Sequence, residues 1–376
     1  MHEALANNLP ASLLARAHQR GADVALRHKR LGLWQARSWA QLLAEVQSLA
    51  TGLREAGFAA GDSLLIVSRP RPEALLASLA AQWLGGVAAL LDPLMPDAEQ
   101  LTLLRELQAG FVFAEGQEEV ERVLASGHVP ALLFYADGRG LADSGLPNYA
   151  RLAAQLPDPA LPVQAQSERP AFSFHRLDAE GQVQQHGLSH AEVLGEGRRL
   201  VEQERLTAAE EALASRNFAT SGQARYLLAP WLLAGFRMNF PESLATRDTD
   251  RRELGPTLVL GTHDSYGRLY ALAQQRLPLP GSLLRRGLDW ALDARGGLLR
   301  NGLGQVLLHR PLRDVLGLSR TRVPLLVGEA LPGEVQAFFA ALGVAPRIWR
   351  EAPRWQAVRS PRSSLAARSQ SRVQPV

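Results

Sequence analysis

Residues 63–135 alternate short apolar runs with helix-forming stretches, and few folds accept that pattern. Ser63–Val67, Val87–Leu91, Phe111–Ala114 and Ala131–Tyr135 read as strands, and Pro72–Leu84, Asp97–Leu107 and Gln117–Ala125 as the helices between them. Strands this short and this uniformly apolar imply a parallel sheet covered on both faces. Upstream, residues 9–22 read as an amphipathic helix, Val24–Arg30 and Leu33–Gln35 flank a turn at Leu31-Gly32, and Ser38-Trp39 opens a helix closed by Gly57. Downstream lies a second α/β unit. Residues 190–214 and Tyr226–Ala234 read as helices, Arg237–Phe240 as a strand, and Pro241-Glu242-Ser243 as a helix start. Thr257–Leu260, Arg322–Val327 and Ala345–Ile348 read as strands, and Ser265–Gln275, Ser282–Ala294 and Pro332–Leu342 as helices. From Ala352 the pattern stops, and the Arg/Ser/Pro-rich residues 352–376 read as a disordered tail.

Composition narrows the function. The formal charge of +4 is small for 376 residues, and the charges are interleaved, so no nucleic-acid footprint is expected. There is no cysteine, which excludes disulfides and thiol chemistry. Lys29 is the sole lysine. No signal peptide is apparent at the start. The one long apolar run, Ala74–Leu91, is interrupted by Gly85-Gly86 and reads as a buried helix and strand rather than a transmembrane segment. A cytoplasmic protein is expected.

Residues 171–200 form a strand, a turn, a second strand and a helix capped by Ser189, a frame suited to a nucleotide phosphate. The turn lacks the chemistry. His175-Arg176-Leu177-Asp178-Ala179-Glu180-Gly181 offers one glycine, no hydroxyl, no lysine and two carboxylates. A phosphate cradle needs glycines so that backbone N–H groups can crowd the anion.

Several stretches in order resemble the AMP-forming acyl-CoA synthetases, especially the bacterial long-chain fatty acid type. Arg27–Trp39 is similar to that family's entry segment, and Gly61-Asp62 with Arg71-Pro72-Glu73 to its first strand and turn. Gly85-Gly86-Val87, Asp92-Pro93, Val112–Glu115 and Tyr135–Leu141 continue in register, as does Gly187-Leu188-Ser189-His190. Leu232–Ser243 with Arg252–Thr257 is the most specific match, followed by Leu283–Leu292 and Phe338–Gly343. The resemblance covers about residues 10–345. It implies two parallel-sheet subdomains packed together, roughly 57–190 and 191–351, with 1–56 joining the second and without the small C-terminal domain.

The resemblance also places the family's machinery, which uses ATP, magnesium and CoA. The glycine-rich loop falls at His175, Arg176, Asp178, Gly181, Gly187 and Ser189, where only the two glycines survive. The adenine-side Gly-Gly-Ala element falls at Gly328, Glu329 and Ala330, with a glutamate in place of the second glycine. Glu351 lies near the position of a magnesium-holding glutamate, but in a lost context. With Lys29 alone, neither of the family's lysine roles is filled in place. Losing one interaction that stabilises developing transition-state charge costs roughly 3–4 kcal/mol, and several are lost here. No catalytic residue, metal or cofactor is therefore expected.

The acyl pocket of the family corresponds to residues 221–245 and 257–270, which include Trp231, Gly235, Phe236, Thr262 and His263. Read from the residues alone, Trp83, Trp231 and Trp290 are core indoles. His186 and His190 do not share a helix, so a metal pair is not expected. Thr262-His263-Asp264-Ser265 cannot converge as a triad. The leading expectation is a degenerate acyl-CoA synthetase-like protein, inactive as a ligase, that binds a fatty acyl chain or a partner such as an intact synthetase or an acyl carrier. The alternatives are a minimal fatty acid adenylating enzyme using Arg176, Arg198 or Arg199 in place of lysine, and a vestigial product.

Overall fold

The computed structural model of the chain describes residues 6–277, 281–282 and 310–358. The motif at Leu283–Leu292, Trp290 and all but the first residue of the helix expected at Ser282–Ala294 lie outside them. After the helix Leu9–Arg20 the chain forms a hairpin of β1 (Val24–Arg30) and β2 (Leu33–Ser38). The helix Trp39–Glu55 leads to β3 (Ser63–Val67), β4 (Val87–Leu91), β5 (Phe111–Ala114) and β6 (Leu132–Tyr135), then to β7 (Pro170–Leu177) and β8 (Val183–Ser189). Beyond the helix His190–Glu204 come β9 (Glu211–Leu213), β10 (Arg237–Phe240), β11 (Leu258–Gly261), β12 (Val323–Val327), β13 (Arg347–Trp349) and β14 (Gln356–Ala357).

These strands build two sheets. One has the order β6-β5-β3-β4-β7-β8-β14, parallel from β6 to β7 and antiparallel beyond. The other has the order β13-β12-β11-β9-β10-β1-β2, parallel except for the β1–β2 hairpin. One hydrophobic cluster runs through both sheets. It joins Leu26 and Met238 of the second to Ile66 and Phe172 of the first, through Trp39 and Leu75 on the helices between.

The helix Pro72–Trp83 explains the long apolar run. Every residue from Ala74 to Trp83 is buried, and β4 follows directly. Its turn needs glycine, because a Cβ on Gly86 would fall 2.4 Å from the Phe58 ring. Among the described residues no helix is long and apolar enough to cross a membrane.

Three elements differ from the sequence reading. The helix from His190 ends at Glu204, where Arg205 adopts a left-handed conformation (φ 51°), and Glu211–Leu213 is a strand. Ala, Glu and Leu are strong helix formers, but β9 is fully buried between β10 and β11, and tertiary packing overrides propensity. Pro241-Glu242-Ser243 does not start a helix. The Ser243 and Thr246 hydroxyls accept from each other's backbone N–H (3.2 and 3.1 Å), and the helix begins at Arg247. Past Ala352 the chain is not patternless, since Gln356–Ala357 pairs with Gln185 and Gln184 of β8.

Candidate functional site

The β7–β8 turn lies at the carboxyl end of β7, where open α/β sheets bind ligands. Its Glu180, Gly181 and Gln182 amides are already used. Asp178 Oδ1 accepts from the Glu180 N–H (3.1 Å) and the Gln182 N–H (2.8 Å), and its carbonyl accepts from the Gly181 N–H (3.1 Å). Asp178 Oδ2 accepts from Gln184 Nε2 (2.8 Å). These bonds, led by the Gln182 amide, hold the carboxyl below its ordinary range. Gly181 supplies the positive φ (76°) that closes the turn, and Gly187 sits mid-strand opposite Ser173.

The neighbouring side chains are buried, stacked or bonded within the protein. The His175 ring is pushed down to about 4 by burial, and its Nδ1 has no hydrogen-bond partner among the described residues. The Arg176 guanidinium stacks 4.3 Å over the Trp355 ring, which also meets His186. Arg198 Nη2 donates to the Ala6 carbonyl (2.9 Å), and Arg199 lies 5.0 Å over Trp349. Ser189 caps the helix His190–Glu204 in a reciprocal box with Glu192. His190 is in that helix's first turn and accepts at Nδ1 from the Leu9 N–H (3.3 Å), whereas His186 is in β8, so the two histidines are not a pair.

Gly328, Glu329 and Ala330 follow β12 as an exposed turn, with Gly328 at φ 94°. The Ser221 hydroxyl donates to Glu351 Oε1, and a Cβ on Gly222 would fall 3.2 Å from the Glu351 carboxyl carbon. Glu351 is thus held by the polypeptide itself. No cluster of three or more His, Asp or Glu side chains suited to a metal occurs among the described residues.

The five residues named for an acyl pocket sit in different surroundings. Trp231 is fully buried, stacks on Trp39 (4.6 Å between centroids) and donates to the Ala25 carbonyl (3.0 Å). Phe236 is likewise buried in the core, and Gly235 closes the helix Ala229–Ala234 in a left-handed conformation. Thr262 caps the helix His263–Arg276. His263 is exposed beside Asp264 (3.6 Å).

A large cleft, about 910 Å³, opens elsewhere at the carboxyl ends of the strands. Segments following β3 (69–71), β6 (136–139) and β10 (241–244) line it, together with the end of β1. Five cationic side chains (Lys29, Arg30, Arg69, Arg71 and Arg139) face three carboxylates (Glu115, Asp137 and Glu242). Glu242 accepts from the Leu31 and Gly32 amides (2.7 and 3.1 Å), which fixes the β1–β2 turn as one wall. Lys29 Nζ donates to Asp250 Oδ1 (2.8 Å) and to Glu253, and these two carboxylates raise its pKa. Arg69 donates its backbone N–H to Glu115 (2.7 Å).

Residues 13–174 match the family described as AMP-binding enzyme. The structure is similar to a benzoate CoA ligase from Burkholderia xenovorans LB400, with TM-score 0.67 and 19% identity over 92% of this chain and 61% of that one. An anthranilate CoA ligase, AuaEII, gives TM-score 0.70 and 16% identity over 92% and 59%. The acetoacetyl-CoA synthetase from Streptomyces lividans gives TM-score 0.66 and 18% over 91% and 51%. The fold is that of the N-terminal region of the acyl-CoA ligases. The chain spans about three-fifths of the first two ligases and half of the third. No curated protein sequence matches it.

Within this ligase fold the cleft was not visible in the sequence. Its lining comes from five separate segments, and each reads locally as a turn with ordinary surface charges. The closest signal was Arg69-Pro70-Arg71, two cations fixed by a proline directly after β3.

Proposed function

We propose that this protein is a binding member of the acyl-CoA ligase fold that does not form an acyl adenylate. The observation that carries this reading is Asp178. A phosphate at the β7–β8 turn would have to displace a carboxylate from the Glu180 and Gln182 amides and then sit beside that negative charge. The sole lysine supports the same reading, because Lys29 is committed to Asp250 and Glu253. ATP and magnesium do not fit these residues.

The ligand seat in this reading is the cleft bounded by Arg30, Arg71, Arg139 and Glu242. Its charged lining suits a polar, negatively charged small molecule better than a hydrocarbon chain. The similar ligases are named for benzoate, anthranilate and acetoacetate, which supports a carboxylic-acid class without a chain length.

The test is acid-dependent ATP–pyrophosphate exchange with magnesium, run with benzoate, acetoacetate and medium- and long-chain fatty acids. Calorimetric titration with ATP runs alongside. The expected result is no exchange above the no-acid control and no saturable ATP heat from folded protein. Saturable exchange with any acid overturns the reading.

A further inference from the structure

We propose that the small cavity between the end of β11 and the helices Arg247–Leu254 and His263–Arg276 is an oxyanion site, taking a carboxylate or an inorganic phosphate. This inference does not depend on the reading of the β7–β8 turn. Arg247, Arg251 and Arg268 line the cavity with Ser215 and Ser265. Among the described residues Asp248 is the only carboxylate paired with these three guanidiniums. It binds Arg251 Nη1 at 3.0 Å and also Arg268, and lies 3.7 Å from Arg247 Nε. Three guanidiniums and one carboxylate leave two positive charges that the described residues do not neutralise.

Arg251 is the decisive member. It is 6% exposed, its Nε donates to the Leu316 carbonyl (2.8 Å), and its Nη2 has no hydrogen-bond partner among the described residues. Arg247 Nε is likewise buried and has no hydrogen bond among the described residues, with Asp248 3.7 Å away. A buried guanidinium donor without an acceptor is unfavourable, and the planar fork matches carboxylate and phosphate geometry. Burial, with repulsion from Arg268, pulls Arg251 down to about 10. A fourth guanidinium adds to the field: Arg216 is held by Thr262 (2.8 Å) and depresses Arg247 further, after burial and Arg268.

Size limits the occupant. The cavity is about 30 Å³, room for about two water-sized groups. That accommodates the oxygens of a head group and not a whole acyl ligand. Water would satisfy the N–H groups but leave the charge. Asp248 and Arg268 are each about one-third exposed, so solvent reaches this end of the cluster.

The test uses the full chain at constant ionic strength, with chloride replaced stepwise by phosphate or by acetate, read by melting temperature and calorimetry. We expect a saturable rise with at least one of the two. Phosphate alone would identify a phosphate site, and acetate alone a carboxylate site. Arg247→Gln and Arg268→Gln should each weaken the response at least tenfold, while Arg322→Gln, an arginine paired elsewhere with Glu210, should leave it intact. Arg251→Met should abolish it. If that variant does not fold, the two partly exposed positions carry the test. No saturable rise with either anion, or an undiminished rise in both Arg247→Gln and Arg268→Gln, overturns the proposal.

Discussion

Asp178 Oδ1 stands 2.8 Å from the backbone nitrogen of Gln182, four residues later in the chain. The carboxylate thereby fills, from within, the concavity that a turn of this kind would offer to an anion. Asp178→Ala should free the Glu180 and Gln182 amides. Their hydrogen exchange, followed by NMR, should accelerate at least tenfold while the melting temperature hardly moves, because the turn is at the surface. Unchanged exchange would show that the turn is held by something other than this side chain.

Trp231, on the helix Ala229–Ala234, stacks on Trp39, the first residue of the helix Trp39–Glu55. Trp231→Ala should cost roughly 3–5 kcal/mol in urea unfolding. Trp231→Phe should cost about 1–2 kcal/mol, since it strands the Ala25 carbonyl and leaves a smaller void. A cost below 1 kcal/mol for the alanine variant would mean that this indole is not core.

Lys29 joins β1 to the helix Arg247–Leu254 through Asp250, whose side chain is 2% exposed. Glu253 is the weaker partner, being about half exposed. Lys29→Met should destabilise by roughly 2–3 kcal/mol, below the usual range for a fully buried pair because of that exposed partner. Lys29→Arg should restore part of the loss. Equal stability of Lys29→Met and the parent would remove the pair from any account of how the hairpin is held.

His28 and His190 are both pushed down to about 4 by burial. An unfolded histidine titrates near 6.5. Between those values the unfolded chain binds more protons than the folded one, so stability is full above about pH 6.5 and falls as pH drops towards 4. The melting temperature should decline across that window. His190→Gln should flatten the decline, because glutamine keeps an acceptor for the Leu9 amide without titrating. A profile as steep in His190→Gln as in the parent would assign the acid sensitivity elsewhere.

Leu31 and Gly32 both take positive φ (50° and 77°) in the β1–β2 turn. A Cβ on Gly32 would meet nothing within 4 Å, so Gly32→Ala isolates backbone strain. It should cost about 1 kcal/mol, and Glu242→Ala should loosen the same turn by removing the acceptor of both amides. Their effects should be less than additive in a double-mutant cycle.

The parallel sheet over β3–β6 was legible because each strand is a continuous apolar run bounded by a helix with its own start signal, such as Pro72 or the acidic turn at Asp97 and Glu99. Strand β9 was not, because Glu-Ala-Leu favours a helix unless β10 and β11 enclose it. At the β7–β8 turn the unfavourable residue types could be read directly. That Asp178 itself closes the turn could not, since it depends on a left-handed Gly181 and on Gln184 reaching back. The arginine cluster was hidden for a different reason. Arg-Asp-Thr-Asp-Arg-Arg-Glu-Leu looks like a solvated helix, and only packing against Leu316 and Tyr266 turns one face of it inward.

The pairing of β1 with β10 imposes an order on synthesis. Strands β3 to β8 leave the ribosome as an unbroken series, and each of β4 to β8 can dock on strands already made. The β1–β2 hairpin emerges earlier, but the edge of β1 that accepts Met238 and Phe240 stays open until the chain has been made past residue 240. The sheet begun first thus still lacks its middle strands when β3 to β8 have all been made. In the interval a nascent chain carries an unpaired β edge beside Ala25 and Leu26, which is where a holding chaperone would be needed most.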